Sequence, residues 1–294
     1  MTIAIYGREV NPGFVPYLKT IFRKSISYQS KHLIYHDFAR LLKDQGIGFP
    51  EDTETFSSPE EISGDVDIML SVGGDGTFLE AVSYVRDSDV PIIGINSGRL
   101  GFLATISREE IESSLDALFR KEYVLENRTL IKISPAQGLL ADFPYALNEF
   151  TVQKKGTEMI MVEVKIDGKH LNTYWADGLL ISTPTGSTAY SMSVGGPIVI
   201  PGSNNFILSP IAPHNLTVRP IVIPDDHELT IRVAERSKQY WVSMDYLSEI
   251  YKDHEPITIK KAEFTVQIPK LDFQDYFQTL RSKLMWGADR RSRQ

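Results

Sequence analysis

The sequence predicts an α/β domain followed by an all-β domain, closed by a C-terminal helix that returns to the first. Three observations predict it. Over residues 1–125, apolar runs of strand length alternate with segments of helical spacing, as in a nucleotide-binding-like α/β domain. Over 126–268, short alternating runs are separated by turn residues, the pattern of a β-sandwich-like domain. Residues 269–294 return to helical spacing and are expected to pack back on the 1–125 domain.

The elements follow in order. Residues 3–6 form an apolar strand ending at Gly7. Residues 31–45 set Leu33, Ile34, Phe38, Leu41 and Leu42 at helical spacing, with Gly46 placed as a stop, and predict one helix. His32 and His36 fall on one face of it and lack the Glu of a zinc-protease motif, so they read as helix surface. Residues 67–72 form a buried-type strand that runs into Gly73-Gly74-Asp75-Gly76, and a helix follows over 77–85. Residues 91–95 form another apolar strand, followed by the loop Asn96-Ser97-Gly98-Arg99-Leu100-Gly101-Phe102. Ser107 and Glu110 have capping-box spacing and open a helix to about residue 121. In the second domain, residues 159–166 alternate and Asp167-Gly168 supplies a hairpin turn. Residues 221–223, 229–233, 240–244, 257–260 and 264–268 read as further strands. Residues 270–285 place Phe273, Tyr276, Phe277, Leu280 and Leu284 at helical spacing, with Gly287 as a stop and Arg290, Arg291 and Arg293 as a solvated tail.

Composition removes several function classes. The hydrophobic fraction is 42% and the charged fraction 23%, which supports both a core and a solvated surface. A formal charge of −7 argues against a broad nucleic-acid surface. The absence of cysteine removes disulfides, thiolate nucleophiles and cysteine zinc sites. No stretch reaches the ~18 consecutive apolar residues a membrane helix needs, and the N-terminus lacks the pattern of a signal peptide. A cytoplasmic protein with no membrane or nucleic-acid partner is expected.

The chemistry concentrates in three loops. In Gly73-Gly74-Asp75-Gly76-Thr77, glycines let a backbone approach a ligand, and amides at a helix start favour a phosphate. Asp75 there either takes a proton from an attacking hydroxyl or helps hold a metal; the plain alternative is a helix cap. Neither the Walker loop nor the dinucleotide glycine fingerprint occurs. The second loop carries Arg99 and ends at Phe102, an aromatic able to stack on a base or to serve in the core. The third runs from Asp177 to Ser191, dense in hydroxyls and followed by Gly195-Gly196-Pro197. Small hydroxyls and amides satisfy ribose and phosphate oxygens without adding charge. Asn148-Glu149 pairs an amide with a carboxylate, a clamp suited to a ribose diol. No Gly-x-Ser-x-Gly nucleophile elbow is present.

Taken together, Val72–Thr77, Gly94–Phe102, Leu147-Asn148-Glu149, Asp177–Gly196 and Pro213–Pro220, in this order, resemble the bacterial NAD kinase family. The resemblance implies transfer of the γ-phosphoryl of ATP to the 2′-hydroxyl of the adenosine ribose of NAD. It implies Asp75 as proton acceptor and NAD contacts at Asp75, Gly76, Phe102, Asn148, Glu149 and Asp177. Thr188, Ala189, Tyr190, Ser191, Met192 and Ser193 resemble the loop that wraps the adenine–ribose half. Gly73, Gly74, Thr77 and Arg99 are expected at the ATP phosphates. A divalent cation, normally Mg²⁺ carried with ATP, and a homodimer or homotetramer are also implied. Trp175 and Leu247 depart from some relatives at positions that bear on cofactor choice. A lipid or sugar kinase sharing the Gly-Gly-Asp-Gly turn is the alternative enzyme, and a dinucleotide sensor without turnover the alternative binder.

Overall fold

The computed structural model describes the chain except residues 63, 99–100, 235–237 and 287–294. The expected Gly287 stop and the Arg290, Arg291 and Arg293 tail lie outside the described residues. The chain divides into two compact units, Met1–Ala81 with Val90–Glu126 and Ile268–Gln294, and Val82–Asp89 with Asn127–Gln267. Residues 82–89, expected within the first domain, group with the second unit.

The first unit contains β1 (Thr2–Gly7), α1 (Val15–Ser27), β2 (Lys31–Tyr35), α2 (His36–Asp44), β3 (Glu54–Phe56), β4 (Ile68–Gly73), the start of α3 (Asp75–Val85), β5 (Ile92–Asn96) and α4 (Ile111–Phe119). Its five strands are parallel, in the order β3-β2-β1-β4-β5. Every residue of β4 and β5 is buried, as expected where helices cover both faces of a parallel sheet. The core of this unit includes Ile3, Ile5, Ile34, Leu70, Val72 and Ile95 from the sheet, with Leu18, Phe38 and Leu115 from the helices. The Ser107–Glu110 capping box is present ahead of α4.

The chain then forms β6 (Tyr123–Ser134), β7 (Tyr145–Ala146), β8 (Glu149–Lys154), β9 (Ile160–Ile166), β10 (Lys169–Ala176), β11 (Gly178–Ser182), the short α5 (Tyr190–Ser193), β12 (Asn205–Ile211), β13 (Ile221–Pro224), β14 (Leu229–Val233), β15 (Tyr240–Met244), β16 (Leu247–Tyr251) and β17 (Ile257–Leu271). These strands make two six-stranded sheets, β10-β9-β14-β17-β6-β7 and β13-β12-β11-β8-β15-β16. One apolar core serves both, with Val162, Val164 and Ile231 from the first sheet and Phe150, Ile181, Phe206 and Val242 from the second. This is a β-sandwich. Phe150 and Phe206 are fully buried, and truncating either to alanine costs about 3–5 kcal/mol. Asp167 (φ 49) and Gly168 (φ 76) make the expected tight hairpin between β9 and β10. The chain returns to the first unit as α6 (Tyr276–Leu284), and Gln274 just before it donates to Thr105.

Three expectations are corrected. The helix read over 31–45 is a strand followed by a helix. Leu33 and Ile34 lie in β2, between β1 and β3, and the helix starts only at His36. A short apolar run serves a buried strand as well as a helix, and periodicity does not separate them. His32 is thereby a buried strand residue, with Nε2 2.6 Å from Ser25 Oγ, and not helix surface. The strands read over 257–260 and 264–268 are one strand, β17, because the charged residues between them lie exposed within a continuous ladder. The helix read over 270–285 spans only Tyr276–Leu284: Lys270 and Leu271 end β17, and Asp275 caps the helix by accepting from Phe277 N. Among the described residues no helix is long and apolar enough to cross a membrane.

Candidate active site

The first centre is built at the carboxyl ends of β4 and β5, where open parallel sheets bind ligands. α3 begins on Asp75 itself, so Asp75 and Gly76 form its first turn and do not lie in a separate loop. Gly73 cannot carry a side chain, since its Cβ would lie 2.3 Å from Thr77 Oγ1. Ser97 N donates to Gly73 O, which ties the two loops together. Asn96 is buried and its Oδ1 accepts from Gly98 N at 2.7 Å. The Arg108 guanidinium holds Ser97 O.

Asp75 is the focus of this centre. Its Oδ2 accepts from Phe102 N at 2.8 Å, and its Oδ1 from Leu103 N at 3.0 Å and Ala104 N at 2.9 Å. A carboxylate offers about four acceptor places. Three are taken by these amides, and among the described residues the fourth, on Oδ2, has no partner. The helix-cap alternative fails, because the side chain is spent on the neighbouring loop. The loop must come very close to allow this: a Cβ on Gly101 would lie 1.7 Å from Asp75 Oδ1, and one on Gly94 would lie 2.6 Å from Ala104 Cα. Phe102 is half-buried, and the Lys283 ammonium of α6 lies 4.6 Å from its ring centre. Arg99 lies outside the described residues.

The second centre lies in the sandwich, around Leu147-Asn148-Glu149 at the start of β8. Its carbonyls are bound by the hydroxyl-rich loop: Thr183 Oγ1 donates to Leu147 O at 2.5 Å and Thr183 N to Asn148 O at 2.9 Å. Gly186 of that loop packs so closely that a Cβ there would lie 2.2 Å from Asn148 O. Its amides donate to the Asp245 carboxylate. The loop continues through Thr188, Ala189 and α5, which holds Tyr190, Ser191, Met192 and Ser193. Gly196 closes against it, with a Cβ position 2.3 Å from Ser191 Oγ. Asp177 pairs with Lys154 at 2.6 Å.

Two carboxyls here are shifted upward. Burial, reinforced by the nearby Asp245 charge, pushes Glu149 up to about 8. Burial pushes Asp245 up to about 6, against the pull of its three amide donors. At neutral pH the amides favour charge on Asp245, and Glu149 keeps its proton. Glu149 Oε2 is buried and has no hydrogen-bond partner among the described residues. Asp245 is not among the site residues expected from the sequence. Its one signal is a carboxylate at a two-residue hairpin turn, which more often caps its own turn. Trp175, beside Asp177, is 45% exposed and lines an open cavity of about 710 Å³ with Asn172, His214, Asn215 and Leu216.

The parallel α/β sheet presents a carboxylate at a helix start, and the β-sandwich carries a hydroxyl-rich loop, groups that suit phosphate and ribose oxygens. Comparisons with known proteins make this specific. The profile of the ATP-NAD kinase N-terminal domain matches residues 22–123, and that of the ATP-NAD kinase C-terminal domain matches residues 147–271. The chain is 43% identical to an NAD kinase of Cytophaga hutchinsonii over 99% of its own length and 100% of the relative's. It is 41% identical to an NAD kinase of Flavobacterium psychrophilum with the same coverage. An NAD kinase from Archaeoglobus fulgidus, solved with ATP, superposes with a TM-score of 0.76 at 28% identity, over 97% of this chain and 99% of that one. Yeast NADH kinase, solved with NADH, has the same fold with a TM-score of 0.86 at 21% identity, over 98% of this chain and 88% of that one. The chain belongs to the ATP-NAD kinase family. It is a phosphotransferase with the activity of an NAD kinase.

Proposed function

We propose that Asp75 carries the chemical step, in which the γ-phosphoryl of ATP passes to the 2′-hydroxyl of the adenosine ribose of NAD. The observation that carries this assignment is the anchoring of Asp75. Three loop amides fix its carboxylate and leave one acceptor place on Oδ2 for a hydroxyl hydrogen. In the step, the 2′-oxygen bonds to the γ-phosphorus and the bond to the bridging oxygen of ADP breaks. The hydroxyl proton goes to Asp75 Oδ2. Phosphoryl transfer asks little covalent work of a protein, so positioning and charge neutralisation dominate. General-base help contributes about 10²–10⁴-fold.

The other roles are those the family resemblance implies. Gly73, Gly74, Gly76 and Thr77, at the start of α3, suit the phosphates. Phe102 stacks on adenine through the ring face not taken by Lys283. Asn148 and Glu149 hold ribose hydroxyls, and the bare Oε2 of Glu149 is a buried group whose hydrogen bonding a ligand hydroxyl completes. Asp177 faces the nicotinamide end, and Thr188–Ser193 wrap the adenine–ribose half. Among the described residues no group of three or more His, Asp or Glu side chains is placed to hold a metal ion. The family resemblance implies that Mg²⁺ enters with ATP, as part of the MgATP substrate. The solved relatives bound to ATP and to NADH are consistent with these donor and acceptor classes. The same reading carries a homodimer or homotetramer, which light scattering tests, and a cytoplasmic location.

The test is direct. Protein mixed with NAD, ATP and Mg²⁺ is expected to form NADP, detected by mass, with no product from diacylglycerol or sphingosine. Phosphorylation of the lipids without NADP would replace this reading with the lipid-kinase one. Binding of NAD without product would leave a sensor.

A further inference from the structure

The buried carboxylate of Asp245 has no place in the roles given above, yet it is the most heavily bonded side chain near Asn148 and Glu149. Asp245 follows β15 and opens the two-residue turn to β16, in which Met244 pairs with Leu247. Its backbone is left-handed, with φ 50, a conformation that Asp tolerates better than most residues. This turns the side chain away from its own hairpin and toward the start of β8. Oδ2 accepts from Leu147 N at 2.7 Å, and Oδ1 accepts from Asn148 N at 2.8 Å and Glu149 N at 3.0 Å. Asp245 N in turn donates to Glu149 O at 3.0 Å. The β15–β8 ladder continues from this point with Met244 opposite Phe150.

Three consecutive amides pointing at one carboxylate do not arise from a regular antiparallel ladder, which alternates its hydrogen bonds between the two sides of a strand. The segment therefore leaves the regular ladder at Leu147 and Asn148, just before β8 begins at Glu149. Its amides go to Asp245, while the Leu147 and Asn148 carbonyls go to Thr183. With the backbone fixed from both sides, the two side chains have little freedom in where they point. Burying a full carboxylate for this purpose is costly unless its charge is met by donors. A strand start needing only mechanical support is more cheaply held by apolar packing.

From this geometry we infer that Asp245 is a positioning residue for NAD binding. It acts through the Leu147–Glu149 backbone to aim the Asn148 amide and the Glu149 carboxyl at the dinucleotide, and it does not touch the substrate. The charge on Asp245 has a second effect in the same direction, since it helps Glu149 keep its proton. A protonated Glu149 both donates to and accepts from a ribose diol. The inference rests on the reading of Asn148 and Glu149 as NAD contacts.

The experiment is steady-state kinetics on the full chain with Asp245→Asn and Asn148→Ala, with melting temperatures recorded alongside. Asp245→Asn keeps the shape and one acceptor oxygen for the Asn148 and Glu149 amides, but turns an NH₂ toward the Leu147 amide. The expected result is a KM for NAD raised about tenfold or more, with KM for ATP and kcat within about threefold, from the loss of one charge-assisted hydrogen bond and its ordering. Asp245→Ala, if it folds, is expected to raise KM for NAD further. A raised KM in Asn148→Ala with unchanged KM in Asp245→Asn overturns the inference alone. A fall in kcat in proportion to folded protein, with KM for NAD unchanged, also overturns it and leaves Asp245 structural. Unchanged KM for NAD in Asn148→Ala removes the underlying reading of the segment and the inference with it.

Discussion

The Asp75 carboxylate binds three amides of one loop, and the loop can reach it only because residue 101 has no side chain. Gly101→Ala puts a methyl group into the space of Oδ1. The expected outcome is a fall in kcat of about 10²-fold or more, with little loss of overall stability, because the displaced groups are few and the loop is short. Turnover assays with a melting curve as control check it. Glu149 gives a prediction of different kind. Its folded-state value, about 8, lies above the ordinary carboxyl value of 4.5. The protonated form is thus favoured by folding, and stability is fully present below about 4.5 and lost as pH rises through about 8. Glu149→Gln removes this titration. The variant is expected to gain melting temperature relative to the parent at pH 8 and to match it near pH 5. An equal difference at both pH values would mean that Glu149 is ionised throughout.

Among the elements, the hydroxyl-rich loop after β11 and the start of β8 depend on each other most closely. A Cβ on Gly186 would meet the Asn148 carbonyl oxygen and carbon at 2.2 and 2.5 Å, and both are backbone atoms that cannot rotate away. Gly186→Ala is therefore expected to lower the melting temperature by several degrees and to raise KM for NAD. Calorimetry and initial rates measure both. What the sequence showed at this scale follows from how local each signal is. The β4 strand, the glycine turn, the capping box before α4 and the Asp167-Gly168 hairpin are each written in a few adjacent residues, and all were legible. The boundary between β2 and α2 was not, because Leu33 and Ile34 fit a helix face as well as a strand covered on both sides. The partners of Asp75 lie 27 to 29 residues away and those of Asp245 lie 96 to 98 away. The glycine turn and its carboxylate were recognisable, but only tertiary structure shows that the carboxylate is held by a neighbouring loop. Nothing near Asp245 in sequence marks it as the acceptor for Leu147, Asn148 and Glu149.

At the scale of the whole molecule, two separate apolar cores support two kinds of surface. The parallel sheet offers a helix start and a rigid carboxylate, which suit phosphate chemistry. The sandwich offers buried hydroxyls, amides and a protonated carboxyl, which suit a dinucleotide. The chain belongs to the ATP-NAD kinase family along nearly its whole length. The central claim is that Asp75 accepts the proton of the 2′-hydroxyl, and single-turnover formation of NADP by Asp75→Asn tests it most directly. The account predicts that NAD still binds within about threefold of the parent while the chemical step slows by about 10²–10⁴-fold. A chemical step within a factor of about ten of the parent, in a variant that melts normally, would contradict it and leave Asp75 as the anchor of its loop alone.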